Sequence, residues 1–393
     1  MYITTKCTND VLTLMLEGRV DSTTAPEAEE KINAELSKIP HTSVVIDAEK
    51  LEYISSAGLR IVLKLIKTQK NLEVINASGD VYDIFDMTGF SEMIPISKAY
   101  RRVFVENCEV IGKGANGEVY RLDPETIIKV YIHPDSLDDI KRERELARRA
   151  FVLGIPTAIS YDVVKVGDSY GSVFELLNAK SLAKLVAEEP ENFDKHISTF
   201  VDLLKKIHTT ELKPHELPDI KDTAYGWISR INGHLPDDKY AKIKALVDNV
   251  EDRCTMIHGD YHTKNVMIQN GEALLIDMDT LAEGHPVFEL GSVFNAFRGF
   301  GAVDHTSVEN FLGIKYEDAC EFWNRTLRLY LETDDENRIK EVENKASLIG
   351  YVRLLQRNIR TEKYKTSDIG KAEYDFYIKE ITRLLDEVDT LEF

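Results

Sequence analysis

One stretch carries residue types that could do chemistry together. It is His258-Gly259-Asp260-Tyr261-His262-Thr263-Lys264-Asn265, followed by an apolar run from Ala273 to Ile276 that ends in Asp277. Asp260 can accept a proton from an attacking hydroxyl. Asn265 can offer a carbonyl oxygen to Mg²⁺, and Asp277 can hold the same ion between nucleotide phosphates. Moving a phosphoryl group asks mainly for positioning and charge neutralisation, which a base, an amide and a second carboxylate in this order can supply. The plain alternative is a helix-capping Asp in a polar loop.

Other elements must bring a nucleotide to these groups. Gly112, Gly114 and Gly117 form a G-x-G-x-x-G run within Ile111 to Tyr120. Dinucleotide-binding turns share that pattern but lead into a helix; here Glu118 to Leu122 reads as a strand. A strand on each side makes a hairpin whose bare tip can lie over phosphates. A Walker loop would end in Gly-Lys-Ser/Thr, which is absent. Next comes the apolar strand Ile127-Ile128-Lys129-Val130-Tyr131, interrupted by one Lys. A buried ammonium without a partner is costly, so Lys129 either reaches solvent from an edge strand or has an anionic partner. Asp135 or Ser136 is the expected cap of a helix through Arg149, whose apolar face carries Ile140, Ala147, Ala150 and Phe151. Glu143 shares that face, whereas Glu145 is turned about 200° from it at helical pitch. Glu143 is the better partner for Lys129.

The catalytic-type stretch and the strand Leu274-Leu275-Ile276-Asp277 resemble the loop and metal strand of the aminoglycoside phosphotransferase and choline kinase group. That group is a branch of the protein-kinase-like fold, with a loop reading H-G-D-x-H-x-x-N. The resemblance implies ATP and Mg as cofactors, Asp260 as base, and Asn265 and Asp277 as metal ligands. It puts His262 where protein kinases keep a Lys near the γ-phosphate, and makes His258 a packing and orienting residue. Lys129, paired with Glu143, would meet the α- and β-phosphates. The strand Ser169 to Leu177 would be the hinge, with backbone groups near Glu175 and Leu177 on adenine. The group's later G-x-P-x-x-D-L appears as Gly284 to Leu290 with Glu289 in place of Asp, a change expected to touch loop packing more than chemistry. Asp279 either assists near the metal or is a solvated loop residue.

The first quarter reads differently. Val11 to Gly18, Ser43 to Asp47 and Asn71 to Ile75 read as strands; Ala25 to Ile39, Arg60 to Leu65 and Val81 to Met87 read as helices. Such alternation implies a compact α/β domain. Leu16 to Asp21, Val44 to Asp47 and Tyr53 to Leu59 resemble the STAS domain of anti-sigma-factor antagonists. In that pattern, D-S-[ST]-G-L, Ser56 aligns with the phosphorylatable Ser, and Ser55 stands where Asp is usual. A phosphate on Ser56 would meet the positive end of the following helix and add charge to a binding face. The other reading of Ser56 is an ordinary helix cap.

Composition sets limits. The chain has 393 residues and a net charge of −19; residues 1–98 carry 10 Lys and Arg against 15 Asp and Glu, or −5, leaving −14 for the rest. That argues against broad nucleic-acid binding and is compatible with a cationic substrate or simply with solubility. The widely spaced Cys7, Cys108, Cys254 and Cys320 signal neither a zinc site nor a redox pair. No apolar run is long enough for a membrane span, and the N-terminus lacks a signal region, so a cytoplasmic location is expected.

The expected architecture is an α/β STAS-like domain (1–98) followed by an α+β two-lobed protein-kinase-like fold, with a small lobe (99–178) opening on a strand at Val103 to Val105 and a helical large lobe (179–393). Phe200, Leu203, Leu204 and Ile207 mark a core helix, with His208 as a core or capping residue. Tyr316 to Leu331, Ala346 to Ile359 and Ala372 to Leu385 read as further helices. The expected activity is Mg-dependent transfer of the ATP γ-phosphate to a hydroxyl of a small-molecule acceptor, with the STAS-like part regulating or binding a protein partner. The alternative is a signalling protein whose kinase-like part phosphorylates Ser56 or a partner.

Overall fold

The computed structural model describes residues 1–114, 117–133 and 136–393. The chain divides into two compact units, Met1–Phe104 with Val163–Asp168, and Val105–Asp162 with Ser169–Phe393.

The first unit holds one five-stranded sheet ordered β1 (Tyr2–Thr8), β2 (Val11–Val20), β3 (Ser43–Ile54), β4 (Leu72–Ala77), β5 (Ile96–Lys98). The first pair is an antiparallel hairpin and the rest is parallel. Helices α1 (Ala25–Lys38), α2 (Ser56–Thr68) and α3 (Gly79–Met87) supply the crossovers that parallel strands need. Along β2, Leu12, Leu14 and Leu16 are buried in turn, the period of two that a half-buried strand requires. They pack in one core with Ile46, Val62, Leu65, Val74 and Phe85. Truncating a side chain such as Leu14 to Ala there costs about 2–5 kcal/mol. At the β3–α2 turn the cap is Ser55, whose side chain accepts the Ala57 N–H at 3.2 Å. Ser56 is the first helical residue and is exposed. The capping role open to Ser56 in the sequence therefore belongs to its neighbour.

One expectation needs correction, and two strands are added. β1 and β5 were not foreseen, and Val103–Val105 is not a strand. Instead the Cys108 N–H bonds to the Val105 carbonyl at 3.0 Å, closing a turn before β6 (Glu109–Lys113).

In the second unit β6, β7 (Gly117–Arg121), β8 (Thr126–Tyr131) and the strand Ser169–Glu175 lie side by side, each antiparallel to the next. The hairpin tip at Ala115 and Asn116, and Asp135 as a helix cap, lie outside the described residues. Ser136 takes the cap position of α4 (Leu137–Val152) without a side-chain cap bond, and Phe151, expected on its apolar face, is exposed instead. Gly117 is required by close approach: a Cβ there would sit 2.2 Å from the Val130 carbonyl oxygen.

The remainder is mainly helical. The helix Phe193–His208 buries Ile197, Phe200, Leu203, Leu204 and Ile207 at helical spacing. Tyr316–Leu331, Glu336–Arg360 and Asp368–Glu387 complete the large core; the last two run longer than their apolar patterns alone suggest. His208 is fully buried, its Nδ1 bonded to the Tyr330 hydroxyl at 2.7 Å, and burial lowers its pKa to about 3. It is a neutral core residue, so its 4.0 Å approach to Glu289 is not an ion pair. No helix among the described residues is long and apolar enough to cross a membrane.

Candidate active site

A cleft of about 1480 Å³ opens in the second unit and is lined by residues from both the sheet and the helical part. A single small-molecule site usually occupies about 300–1,000 Å³, so this cleft has room for two substrates.

Strand alternation in β8 turns Ile128 into the core and Lys129 to the cleft. The Lys129 Nζ lies 3.0 and 3.2 Å from the two carboxylate oxygens of Glu143, and 2.8 Å from Asp277 Oδ1. Glu143 is also held by the Tyr131 hydroxyl at 2.7 Å. Burial works against the Lys129 charge, but the carboxylates of Asp277 and Glu143 outweigh it and hold the ammonium above the ordinary lysine range. Glu145 points elsewhere, to Arg149 at 3.0 Å. The solvent-facing alternative for Lys129 is excluded, since the side chain is 18% exposed and doubly paired.

The catalytic-type loop is fixed from beneath. Glu289 is fully buried, and its carboxylate accepts the backbone N–H groups of His258, Gly259 and Tyr261. Burial raises the Glu289 pKa, opposed by His258 and by those N–H groups. The Tyr261 hydroxyl donates to the Phe200 carbonyl at 2.7 Å, tying the loop to the core helix. His258 accepts the Asp260 N–H at 3.3 Å on Nδ1, and its Nε2 lies 3.3 Å from the Ile276 carbonyl. Gly259 has φ +82°, and a Cβ there would meet the Thr280 carbonyl oxygen at 2.4 Å, so no other residue fits this bend.

Above that floor, Asp260 is gripped from several sides. Arg353 Nη2 is 2.9 Å from its Oδ1, Ser292 Oγ is 3.4 Å from the same oxygen, and His262 Nε2 is 3.5 Å from Oδ2. Arg353 also donates to the Gly259 carbonyl at 2.6 Å. Burial pushes the Asp260 carboxyl up, but the bond from His262 and the Arg353 guanidinium prevail and hold it well below the usual carboxylate range. Asp260 is therefore ionised at any physiological pH. His262 packs edge-on against Phe311, and its buried Nδ1 has no partner among the described residues.

Asn265 donates Nδ2 to the Asp260 carbonyl at 3.0 Å, which leaves Oδ1 as its acceptor. Asp277 has φ +64°, a conformation costly for a residue with a side chain and typical of functional positions. Asp279 also lines the cleft; burial, then the carboxylates of Asp277 and Glu143, raise its pKa to about 7. Crowded anionic oxygen of this kind fits a divalent cation. No group of three or more His, Cys, Asp or Glu among the described residues is arranged to hold a metal by itself. A Mg²⁺ on Asn265 and Asp277 would take its other oxygens from phosphates and water, as that ion usually does.

Gly112, Gly114 and Gly117 line the same cleft, and the Gly114 N–H bonds to the Gly117 carbonyl at 2.9 Å. Glu175 and Leu177 lie along its rim, with Val119, Ile127, Phe174 and Ile276 as apolar lining. Every site residue expected from the sequence in this unit is thus brought to one cleft or its floor. Sequence reasoning missed Arg353 and Ser292. Only the helical spacing of Arg353, Arg357 and Arg360 hinted at a shared face, and nothing in it pointed to Asp260.

Comparison with known proteins agrees with this division. Residues 2–103 match the STAS domain model, and residues 107–322 match the model of the phosphotransferase enzyme family. The first region is 32% identical over 103 residues to BtrV of Bordetella bronchiseptica, named as an anti-sigma factor antagonist, covering 25% of this chain and 88% of BtrV. Among solved structures, aminoglycoside phosphotransferase APH(4)-Ia in a ternary complex with ADP and hygromycin B is 12% identical, with a TM-score of 0.49 over 72% of this chain and 95% of that one. Choline kinase of Cryptosporidium parvum is 15% identical, with a TM-score of 0.44 over 72% and 90%. At such scores these two add no weight to the family match. That match spans more than half of the sequence, and the chain belongs to the phosphotransferase enzyme family, carried here behind a STAS domain.

Proposed function

We propose that the second unit transfers the γ-phosphoryl group of ATP to a hydroxyl of a small-molecule acceptor, and that the STAS domain regulates it or binds a protein partner. The support is the convergence on one cleft of the Lys129–Glu143 pair, Asp277, Asn265 and an ionised Asp260. The glycine hairpin would cover the phosphates, Lys129 would leave Asp277 for the α- and β-phosphates, and backbone groups near Glu175 and Leu177 would take adenine. Mg²⁺ on Asn265 and Asp277 would neutralise phosphate charge. Asp260 orients the acceptor hydroxyl. The bond from the γ-phosphorus to its bridging oxygen breaks, a bond to the acceptor oxygen forms, the hydroxyl proton passes to Asp260, and ADP leaves. A carboxylate held well below its usual pKa is a weak base, but it suits a loose transition state in which the proton moves late.

A second reading has one observation in its favour. Ser55 supplies the cap of α2, and the Ser56 hydroxyl is left exposed at the positive end of that helix. A phosphate there would be stabilised by the helix end, typically by about 0.3–1 kcal/mol. Titrating ATP with and without Mg²⁺ tests the first reading at its metal site. ATP should bind tightly only with Mg²⁺, and Asp277→Ala should weaken Mg-ATP binding with the fold intact. Equal affinity in the variant would remove Asp277 from the metal shell.

A further inference from the structure

The wall of the cleft beyond Asp260 has a charge opposite to that of the whole protein. Arg353, Arg357 and Arg360 lie on one helix at spacings of four and three residues, which places them on one face, and all three line the cleft. Lys363 follows on the same wall. The acid beside them, Glu373, is already taken: Lys363 Nζ lies 2.8 Å from each of its oxygens, and Asn358 Nδ2 lies 3.3 Å from one. Arg353 is taken by Asp260. Arg357 rests over the Phe300 ring, its carbon 5.6 Å from the ring centre, and neither Arg357 nor Arg360 has a carboxylate partner among the described residues. Earlier on the same helix Lys340 pairs with Glu343, which also takes Arg298 from the segment Asn295–Gly299, so unpaired cations are not the rule there.

Resting on the phosphotransfer reading, we propose that the acceptor is an anionic alcohol, a hydroxyl compound bearing a phosphate or carboxylate group that Arg357 and Arg360 bind. A guanidinium presents a planar fork of donors that matches either anion. The helix rise sets the reach: Arg357 and Arg360 lie about 6 and 10 Å along the axis from Arg353, the residue that grips Asp260. An acceptor whose hydroxyl sits at Asp260 would carry its anion a few bonds away. A polycationic amino sugar, by contrast, would meet a cationic face. The net charge of −19 therefore does not describe the acceptor wall.

The test is a product screen with Mg-ATP and the full chain. The panel pairs glycerol phosphate, a hexose phosphate and a hydroxy acid with glycerol, choline and an amino sugar, and a mass spectrum of the protein is taken alongside. The account expects phosphorylated product from an anionic alcohol at a kcat/KM about a hundredfold above the uncharged and cationic ones. Arg357→Gln and Arg360→Gln, both at exposed positions, should each raise the KM for that alcohol about tenfold or more, as loss of a charge-assisted bond does. The phosphate-bearing and carboxylate-bearing arms show which anion is preferred. Best turnover of choline, glycerol or the amino sugar would overturn the proposal and leave phosphotransfer standing. ADP release without product from any anionic alcohol, or phosphate only on the protein, would also overturn it. Absence of both ATP binding and turnover would instead remove the phosphotransfer reading itself.

Discussion

The floor and the far wall of the cleft are built by opposite rules. On the floor, polar groups are paired from below. Glu289 takes three backbone N–H groups, Tyr261 reaches a core carbonyl, and Asn265 bonds the Asp260 carbonyl. On the wall, Arg357 and Arg360 have no carboxylate partner among the described residues and lie near solvent. A satisfied, buried network holds geometry, while exposed cations without partners leave charge for a ligand. The floor should therefore be sensitive in rate and stability, and the wall in acceptor affinity.

The largest expected break is at Asp260. Asp260→Asn keeps size and hydrogen bonding but removes the basic charge, and should lower kcat by about 10²–10⁴-fold with little change in ATP affinity. Steady-state kinetics paired with ATP titration would show the split. Next is Glu289→Ala, which leaves three buried N–H groups without an acceptor at about 1–3 kcal/mol each. Thermal or urea unfolding should show a loss of roughly 3 kcal/mol or more, with Glu289→Gln losing less. If Glu289→Ala were as stable as wild type, the floor would not be rigid for the stated reason.

Lys129→Met should cut turnover by misplacing the phosphates, and Glu143→Gln should do so less. Their double-mutant cycle should show a coupling of about 0.5–3 kcal/mol, because the two touch directly. Strict additivity would separate them. A separate effect is on acid stability. His208 has a folded pKa of about 3, below its ordinary 6.5. Its neutral form thus stabilises the fold above the unfolded pKa, and that contribution is lost as pH falls from about 6.5 towards 3. His285, lowered by burial to about 4, acts in the same direction. Unfolding measured across this window should show less pH dependence in His208→Gln than in wild type.

What could be read from the sequence follows the same contrast. The loop and metal strand lie within twenty residues of Asp260, and their chemistry depends on residue types at fixed spacing. Lys129 and Glu143 could be matched because strand and helix periods decide which way each points. Arg353 could not, because 93 residues separate it from Asp260 and only the fold brings them together. The edge strand Tyr2–Thr8 was hidden by its polar, mostly exposed sequence, YITTKCT. The apolar triplet Val103 to Val105 suggested a strand where the Val103 N–H bonds to the Lys165 carbonyl and the chain then passes into a turn. In the first unit, the sequence pointed to Ser56 as the possible cap, and only the backbone shows that Ser55 is the one.

The central claim is that this cleft moves phosphate from ATP to a small alcohol. Following the label from γ-labelled ATP in wild type and Asp260→Asn, in solution and on the protein, tests it directly. The account predicts label on a low-molecular-weight ester with wild type, about a hundredfold or more slower with Asp260→Asn, and none on Ser56. Label on Ser56 in wild type alone, or unchanged turnover in Asp260→Asn, would contradict it.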